Sequence, residues 1–298
     1  MKKAVEFLEA WLFIILSAPL AILPLRWSMK AGEILGLLLF YLWGSRRRIA
    51  MENLRNASAT GSISLSAPVE TVIRDDFRNL GKSFAEVIKI YYGCGKKVLE
   101  SVDIEGAENF RKAQSKGKGV LFLTGHCGNW ELLALIAVVR LAPLAVVARP
   151  MNNPYLNSLI EKVRRRYGNS VIYKRGALKS IVRTFKGNGC VGILMDQAVV
   201  PDEGYVIDFL GRGAWTTKMP AIIARKTGAA ALPAFIHRTA KGHTIRIYPE
   251  VELSRSSDIE EAVKEDTRIF SGFLENYIRE HPAEWLWIHR RWKRVKQD

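Results

Sequence analysis

Hydrophobic and polar positions divide the chain into three regimes. Residues 10–25 (AWLFIILSAPLAILPL) carry no charge, and a second apolar run from Ile34 to Gly44 follows a short basic break. Asn56 to Pro68 (NASATGSISLSAP) is small and polar and reads as an exposed loop. Residues 69–97 then read as a helix ending near the Gly93-Cys94-Gly95 breaker. From about residue 103, short apolar runs bounded by turn signals alternate with longer amphipathic segments. Val120–Leu123, Leu144–Ala148, Cys190–Met195, Ala231–Ile236 and Thr244–Tyr248 read as strands. A helix is expected over Pro154–Tyr167, with Asn153 as N-cap, Pro154 in the first turn and Gly168 closing it. Its apolar face is Leu156, Leu159, Ile160, Val163 and Tyr167. Another helix is expected over residues 258–279. Strands alternating with helices predict an α/β sheet, in which ligands gather at the carboxyl ends of strands.

The N-terminal regime admits three readings. A membrane span needs roughly 20 residues, and the first run is short and holds Pro19 and Pro24. Trp11, Trp27, Tyr41 and Trp43 sit near the ends of the runs, where amphipathic rings favour a membrane interface. Glu6 and Glu9 weaken a cleaved signal peptide, and apolar sequence continues past any cut. A buried core hairpin remains open. A membrane anchor or interfacial hairpin over residues 1–48 is favoured. If it spans, Arg26, Lys30 and Arg46-Arg47-Arg48 outweigh Lys2-Lys3, which places the body in the cytoplasm.

Composition narrows the partners. The chain has 298 residues, 45 Lys+Arg against 29 Asp+Glu, and a net charge of +16. Hydrophobic residues at 48% and charged residues at 25% exclude a disordered chain and a bundle of membrane spans. Cys94, Cys127 and Cys190 show no CxxC spacing, against a zinc ribbon or a disulfide framework. Gly81-Lys82-Ser83 lacks the earlier glycine of a phosphate-binding loop, because position 76 is Asp76. The basic excess calls for an anionic partner: nucleic acid, a membrane surface or an acidic protein.

One strand end carries the candidate chemistry. The strand Gly119–Thr124 runs into Gly125-His126-Cys127-Gly128-Asn129-Trp130-Glu131, and an apolar helix continues through Val139. Asn129 is a natural N-cap, which puts Glu131 in the first turn, where the helix dipole favours a carboxylate. His126 and Glu131 can meet across the turn. A carboxylate on one ring nitrogen fixes the tautomer and raises the basicity of the other, which can then take a proton from an attacking alcohol. That is triad logic with the substrate hydroxyl in place of serine. No GxSxG elbow is present. A Cys127 nucleophile and a structural His with a capping Glu remain open from the residues alone.

His126-x4-Glu131 in the setting GHCGNWE resembles the lysophospholipid acyltransferase superfamily, and more narrowly the bacterial late acyltransferases of lipid A biosynthesis. The likeness extends to Arg149-Pro150 with Asn152-Asn153-Pro154, to Met195-Asp196-Gln197, and to Asp208-Phe209-Leu210-Gly211 with Thr216. It ends in the tail Trp285 to Lys293. The resemblance implies a single acyltransferase domain over residues 49–298, with a mixed sheet flanked by helices. It also implies acyl transfer from acyl carrier protein to a hydroxyl of a lipid A precursor, without metal or cofactor, at the cytoplasmic face of the inner membrane. On that template His126 is the general base and Glu131 its partner. Related proteins acylate other glycolipids or use coenzyme A thioesters.

Other positions are candidates for holding substrate. Arg149 follows a strand and suits a phosphate; Asn129, Asp196 and Gln197 are further substrate-binding candidates. Arg164-Arg165-Arg166, in the last turn of a helix, reads as a solvated cationic face. The tail mixes Trp with Arg and Lys, as nucleic-acid binders do, though core packing or membrane contact explains Trp285 and Trp287 as well. His237, His243 and His281 have no metal-ligand spacing. Two rivals follow: a thioesterase using the same His–Glu pair on water, and a basic nucleic-acid-binding protein, against which the apolar N-terminus counts.

Overall fold

Strands that are apolar at every position must be covered on both faces, and the architecture follows from that need. In the computed structural model, which describes residues 2–173 and 176–295, four helices come first: α1 (Lys2–Ile22), α2 (Leu25–Leu42), α3 (Gly44–Ala59) and α4 (Val69–Tyr91). The alternating region follows: α5 (Lys96–Glu100), β1 (Val102–Glu105), α6 (Ala107–Gln114), β2 (Val120–Thr124), α7 (Trp130–Arg140), β3 (Leu144–Ala148), α8 (Pro154–Arg166) and β4 (Ser170–Tyr173). Then come α9 (Ala177–Lys186), β5 (Cys190–Leu194), β6 (Gly204–Phe209), β7 (Arg212–Thr217), α10 (Met219–Thr227), β8 (Ala230–Thr239), β9 (Gly242–Ile247) and α11 (Ile259–Glu280).

Seven strands form one sheet in the order β1-β9-β8-β2-β5-β3-β4. Every neighbouring pair is parallel except β8–β9, so the sheet is mixed, as expected. Side chains on β2 alternate between two cores. Val120 and Phe122 pack with α7 in one cluster, whereas Leu121 and Leu123 pack with α9, α10 and α11 in the other. Among the described residues, β6 and β7 pair only with each other, as an antiparallel hairpin.

The five expected strands form, with edges moved by a few residues. Four others were not read from the sequence. β1 and β4 are only four residues long, and the β6–β7 hairpin mixes polar with apolar positions. The expected helix over 69–97 is two helices, because Gly93 takes a φ of 80° and breaks the run. The expected loop from Asn56 begins late, since α3 continues through Ala59.

Both apolar N-terminal runs are helical. α2 crosses α4 at a glycine contact: a Cβ on Gly36 would lie 2.1 Å from the Phe77 carbonyl oxygen, and one on Gly81 would lie 2.1 Å from that of Gly32. The Gly81 of the rejected phosphate motif therefore serves helix packing. Lys89 of α4 donates to the carbonyls of Ala21 (2.8 Å) and Leu23 (2.5 Å), satisfying orphan acceptors at the end of α1. The N-terminal segment is thus docked on the body through α4.

Gly36→Ala should destabilise the fold by about 1–3 kcal/mol, because the added methyl forces the two backbones apart. Gly44→Ala, where a Cβ meets nothing within 4 Å, should change stability by less than about 0.5 kcal/mol. Thermal unfolding of the two variants beside the parent checks the contact.

Candidate active site

The turn after β2 is built to hold one imidazole. Gly128 has a φ of 52°, and a Cβ there would sit 2.1 Å from the Ile236 carbonyl oxygen, so only glycine fits the bend. The C-terminal tail clamps the turn from outside. Gly128 N–H donates to the Glu284 carbonyl (2.6 Å), and Leu286 N–H donates to that of His126 (3.1 Å). Asn129 caps α7 by accepting from Leu132 N–H at 3.1 Å, as the sequence suggested. Its amide donates to Glu86 at 2.8 Å.

Glu86 is a buried node. It accepts from Arg238 at 2.6 and 2.9 Å and pairs with His243 at 3.0 Å. Burial alone would raise its pKa, but these partners outweigh burial and hold it at about 2. The node ties α4, α7, β8 and β9 together directly beneath the His126 turn.

The carboxylate on His126 is not the expected one. His126 Nδ1 lies 2.8 Å from Oδ1 of Asp196, at the end of β5, and Trp285 Nε1 donates to the other Asp196 oxygen at 3.1 Å. Asp196 is 2% exposed. Glu131 instead forms a two-point ion pair with Arg164 of α8, at 2.6 and 3.3 Å. The expected hydrogen bond between Glu131 and His126 is therefore corrected. Glu131 sits on the first turn of α7, beside α8, while the parallel pairing of β2 with β5 brings Asp196 to the histidine.

Burial would depress the His126 pKa. The Asp196 charge and hydrogen bond, with a smaller contribution from Glu131, overcome this and raise it above the ordinary value. Burial would likewise raise Asp196, but His126 and Trp285 bring it down to about 2. With Nδ1 donating to Asp196, Nε2 is the nitrogen left for a ligand.

His126 lines a cavity of about 790 Å³ at the carboxyl ends of β2, β5 and β3. Its deeper wall is apolar and includes Phe122, Leu144, Val146 and Ile193. Its more exposed lining is charged, with Glu131, Arg149, Arg164, Lys218, Lys293, Asp202 and Glu203. Lys293 is held below the ordinary lysine value by partial burial, then by the cations Arg294, Arg149 and Arg290.

The candidates separate accordingly. His126, Glu131, Arg149 and Gln197 line the cavity, and Asp196 supports His126 from behind. Asn129 is 2% exposed, with its side chain committed to the α7 cap and to Glu86, so it braces the turn instead of facing a substrate. Arg164, read as part of a solvated face, is instead paired in the cavity wall; Arg165 pairs with Glu161, and the Arg166 side chain lies outside the described residues. Trp285 and Trp287 are fully buried, which removes the stacking platform that nucleic acid would need. Cys127 is buried, and its thiol is pushed well above the ordinary value by burial and by Asp196, against a thiolate nucleophile. Among the described residues, no group of three His, Cys, Asp or Glu could hold a metal ion.

The sequence model of the family described as "Bacterial lipid A biosynthesis acyltransferase" matches residues 1–294. The chain is 27% identical over 227 residues to the lipid A biosynthesis palmitoleoyltransferase of Escherichia coli (strain K12), covering 75% of this chain and 72% of that protein. It is 22% identical over 227 residues to the phosphatidylinositol mannoside acyltransferase of Mycolicibacterium smegmatis, covering 75% and 72%. Among solved structures, the 1-acyl-sn-glycerophosphate acyltransferase PlsC from Thermotoga maritima matches at 18% identity and a TM-score of 0.38, over 83% of this chain and 98% of that one.

The geometry ranks the two carboxylates. Asp196→Asn should lower the His126 pKa, since removing the anion destabilises the imidazolium, and Glu131→Gln should lower it less. NMR titration of the His126 ring reads both, and a larger shift in Glu131→Gln would reverse the assignment. The same linkage affects folding. A raised imidazole pKa stabilises the fold below about pH 6.5, and that stability is lost as pH rises through the raised value.

Proposed function

The chain belongs to the bacterial lipid A biosynthesis acyltransferase family, and from that membership we propose that it moves a fatty acyl group from an acyl-carrier-protein thioester to a hydroxyl of a lipid A precursor, with His126 as general base. It is an acyltransferase. The observation that carries the catalytic reading is His126 at the cavity wall, its Nδ1 held at 2.8 Å by buried Asp196. Nε2 takes the proton of the acceptor hydroxyl as that oxygen attacks the thioester carbonyl carbon. The tetrahedral adduct collapses with cleavage of the carbon–sulfur bond, and the imidazolium returns its proton to the departing thiolate. The products are an ester and a free thiol, and His126 is regenerated.

Each substrate has a matching region. The apolar inner wall suits an alkyl chain, and the cationic lining with Arg149 suits the acidic carrier protein and a phosphorylated acceptor. Glu131, the second member of the proposed dyad, acts from the wall with Arg164 and adds its charge to the field on His126.

The N-terminal helices suit the cytoplasmic face of the inner membrane. Within Lys3–Ile22 an 18-residue stretch reaches a mean hydropathy of 1.9. Leu8, Leu16, Ile22, Trp27 and Leu42 are each more than 60% exposed, apolar side chains that the described residues leave largely uncovered. Because α1 is tied to α4 and α8 along its length, an interfacial placement fits it better than a span. Asn153, the N-cap of α8, donates to the Glu6 carbonyl and to Glu9, linking this face to the helix that carries Arg164.

Detergent-solubilised protein should transfer label from radiolabelled acyl-acyl carrier protein to a tetra-acylated lipid A precursor. His126→Ala should lose roughly 10²–10⁴-fold in kcat. In Asp196→Asn the plateau rate should fall, and the acidic limb of the pH profile should move to lower pH. Label released only as free acid would favour a thioesterase. Activity surviving in His126→Ala would overturn the mechanism. Separately, Leu8→Glu with Leu16→Glu should weaken cosedimentation with anionic vesicles by about ten-fold or more.

A further inference from the structure

Gly192 sits where a side chain would normally stand. β5 runs between β2 and β3, and the register aligns Phe122, Gly192 and Val146 in one row. One row deeper, by roughly 6.6 Å of strand, lie Val120, Cys190 and Leu144. Residues of an aligned row share a face, and this face packs against α7. Phe122, Gly192, Val146 and Leu144 all line the cavity, with Leu133 and Ala134 of α7 opposite them.

Neither usual reason for a glycine applies here. Gly192 is absent from the positive-φ residues, so its backbone conformation does not demand glycine. The three heavy atoms nearest to a Cβ built on it all belong to the Leu144 side chain, at 3.6 to 3.9 Å, ordinary contacts. Gly128, by contrast, fails both tests. A glycine inside a central strand weakens the strand and often marks a bulge, a bend, or a place where a ligand or another backbone approaches closely. What the missing side chain leaves is space between Phe122 and Val146, beneath α7.

We propose that Gly192 opens an alkyl-chain arm of the cavity and that Leu144, one row deeper, ends it, so that the pair sets the acyl-chain length the protein accepts. The chain enters past His126, runs over Gly192 between β5 and α7, and stops against Leu144. The proposal rests on the acyl-transfer reading for the identity of the ligand, but the arm itself is a claim about alkyl binding.

The test compares the parent with Gly192→Ala, Gly192→Val and Leu144→Ala, each checked for folding by thermal melting. Turnover is measured with a ladder of saturated acyl-acyl carrier protein donors from short to long chains. Binding of fluorescent fatty acids of graded length is measured in parallel. The optimum should shorten with Ala and further with Val, and the long-to-short turnover ratio should fall on the order of ten-fold or more in Val. Leu144→Ala should move the optimum towards longer chains. An unchanged length profile in folded variants overturns the arm. If the parent turns over no donor, the acyl-transfer reading fails, and the graded binding decides the arm alone. Should neither Gly192 variant fold, the direction of the shift in Leu144→Ala decides it.

Discussion

A carboxylate that is 2% exposed keeps its charge only if both oxygens are satisfied, and that requirement at Asp196 organises the molecule. One oxygen takes the imidazole from the end of β2, and the other takes the indole of Trp285 from the C-terminal tail. Three segments far apart in sequence therefore meet at one group. Leaving such a charge unpartnered costs about 3–5 kcal/mol, comparable to the net stability of a domain. The tail, the turn and the end of β5 stay together because separating them would strand the charge.

A second buried carboxylate does the same work one layer down. Glu86 fixes Asn129 and hence the start of α7, while Arg238 and His243 anchor it to the far side of the sheet. Arg238 also offers its backbone N–H to Glu284 at 3.0 Å, and the carbonyl of Glu284 holds Gly128. Burial raises the Glu284 pKa to about 7. The His126 turn is thus braced by the Glu86 carboxylate through Asn129 and by the backbone carbonyl of Glu284 through Gly128. A rigid turn is what a general base needs if its free nitrogen is to meet a hydroxyl within hydrogen-bond reach.

Much of this was legible in the sequence because it is local. The apolar run of β2, the glycine turn, the Asn129 cap and the Pro154 start of α8 all follow from a few adjacent residues. The partner of His126 was not local. Asp196 lies 70 residues away, and only the pairing of β2 with β5 brings it near. Glu131, five positions along, was the nearer candidate in sequence, but it turns to Arg164, whose surroundings depend on how α8 packs beside α7. The tail illustrates the same limit: alternating Trp and Arg read equally as core, membrane contact or nucleic-acid surface. Burial of Trp285, Trp287 and Arg291 makes it core.

The separation of the two carboxylates has a chemical consequence. An orienting anion fixes the imidazole tautomer but also raises its pKa, which increases the fraction held as unreactive imidazolium at neutral pH. Two uncompensated carboxylates on one histidine would push that penalty further. Arg164 pairs with one of them at 2.6 Å, and the Glu131 charge raises the His126 pKa less than either the Asp196 charge or its hydrogen bond does. The arrangement orients the imidazole by one full charge, with the second carboxylate paired elsewhere. It also leaves a cation in the cavity wall, held by its own partner.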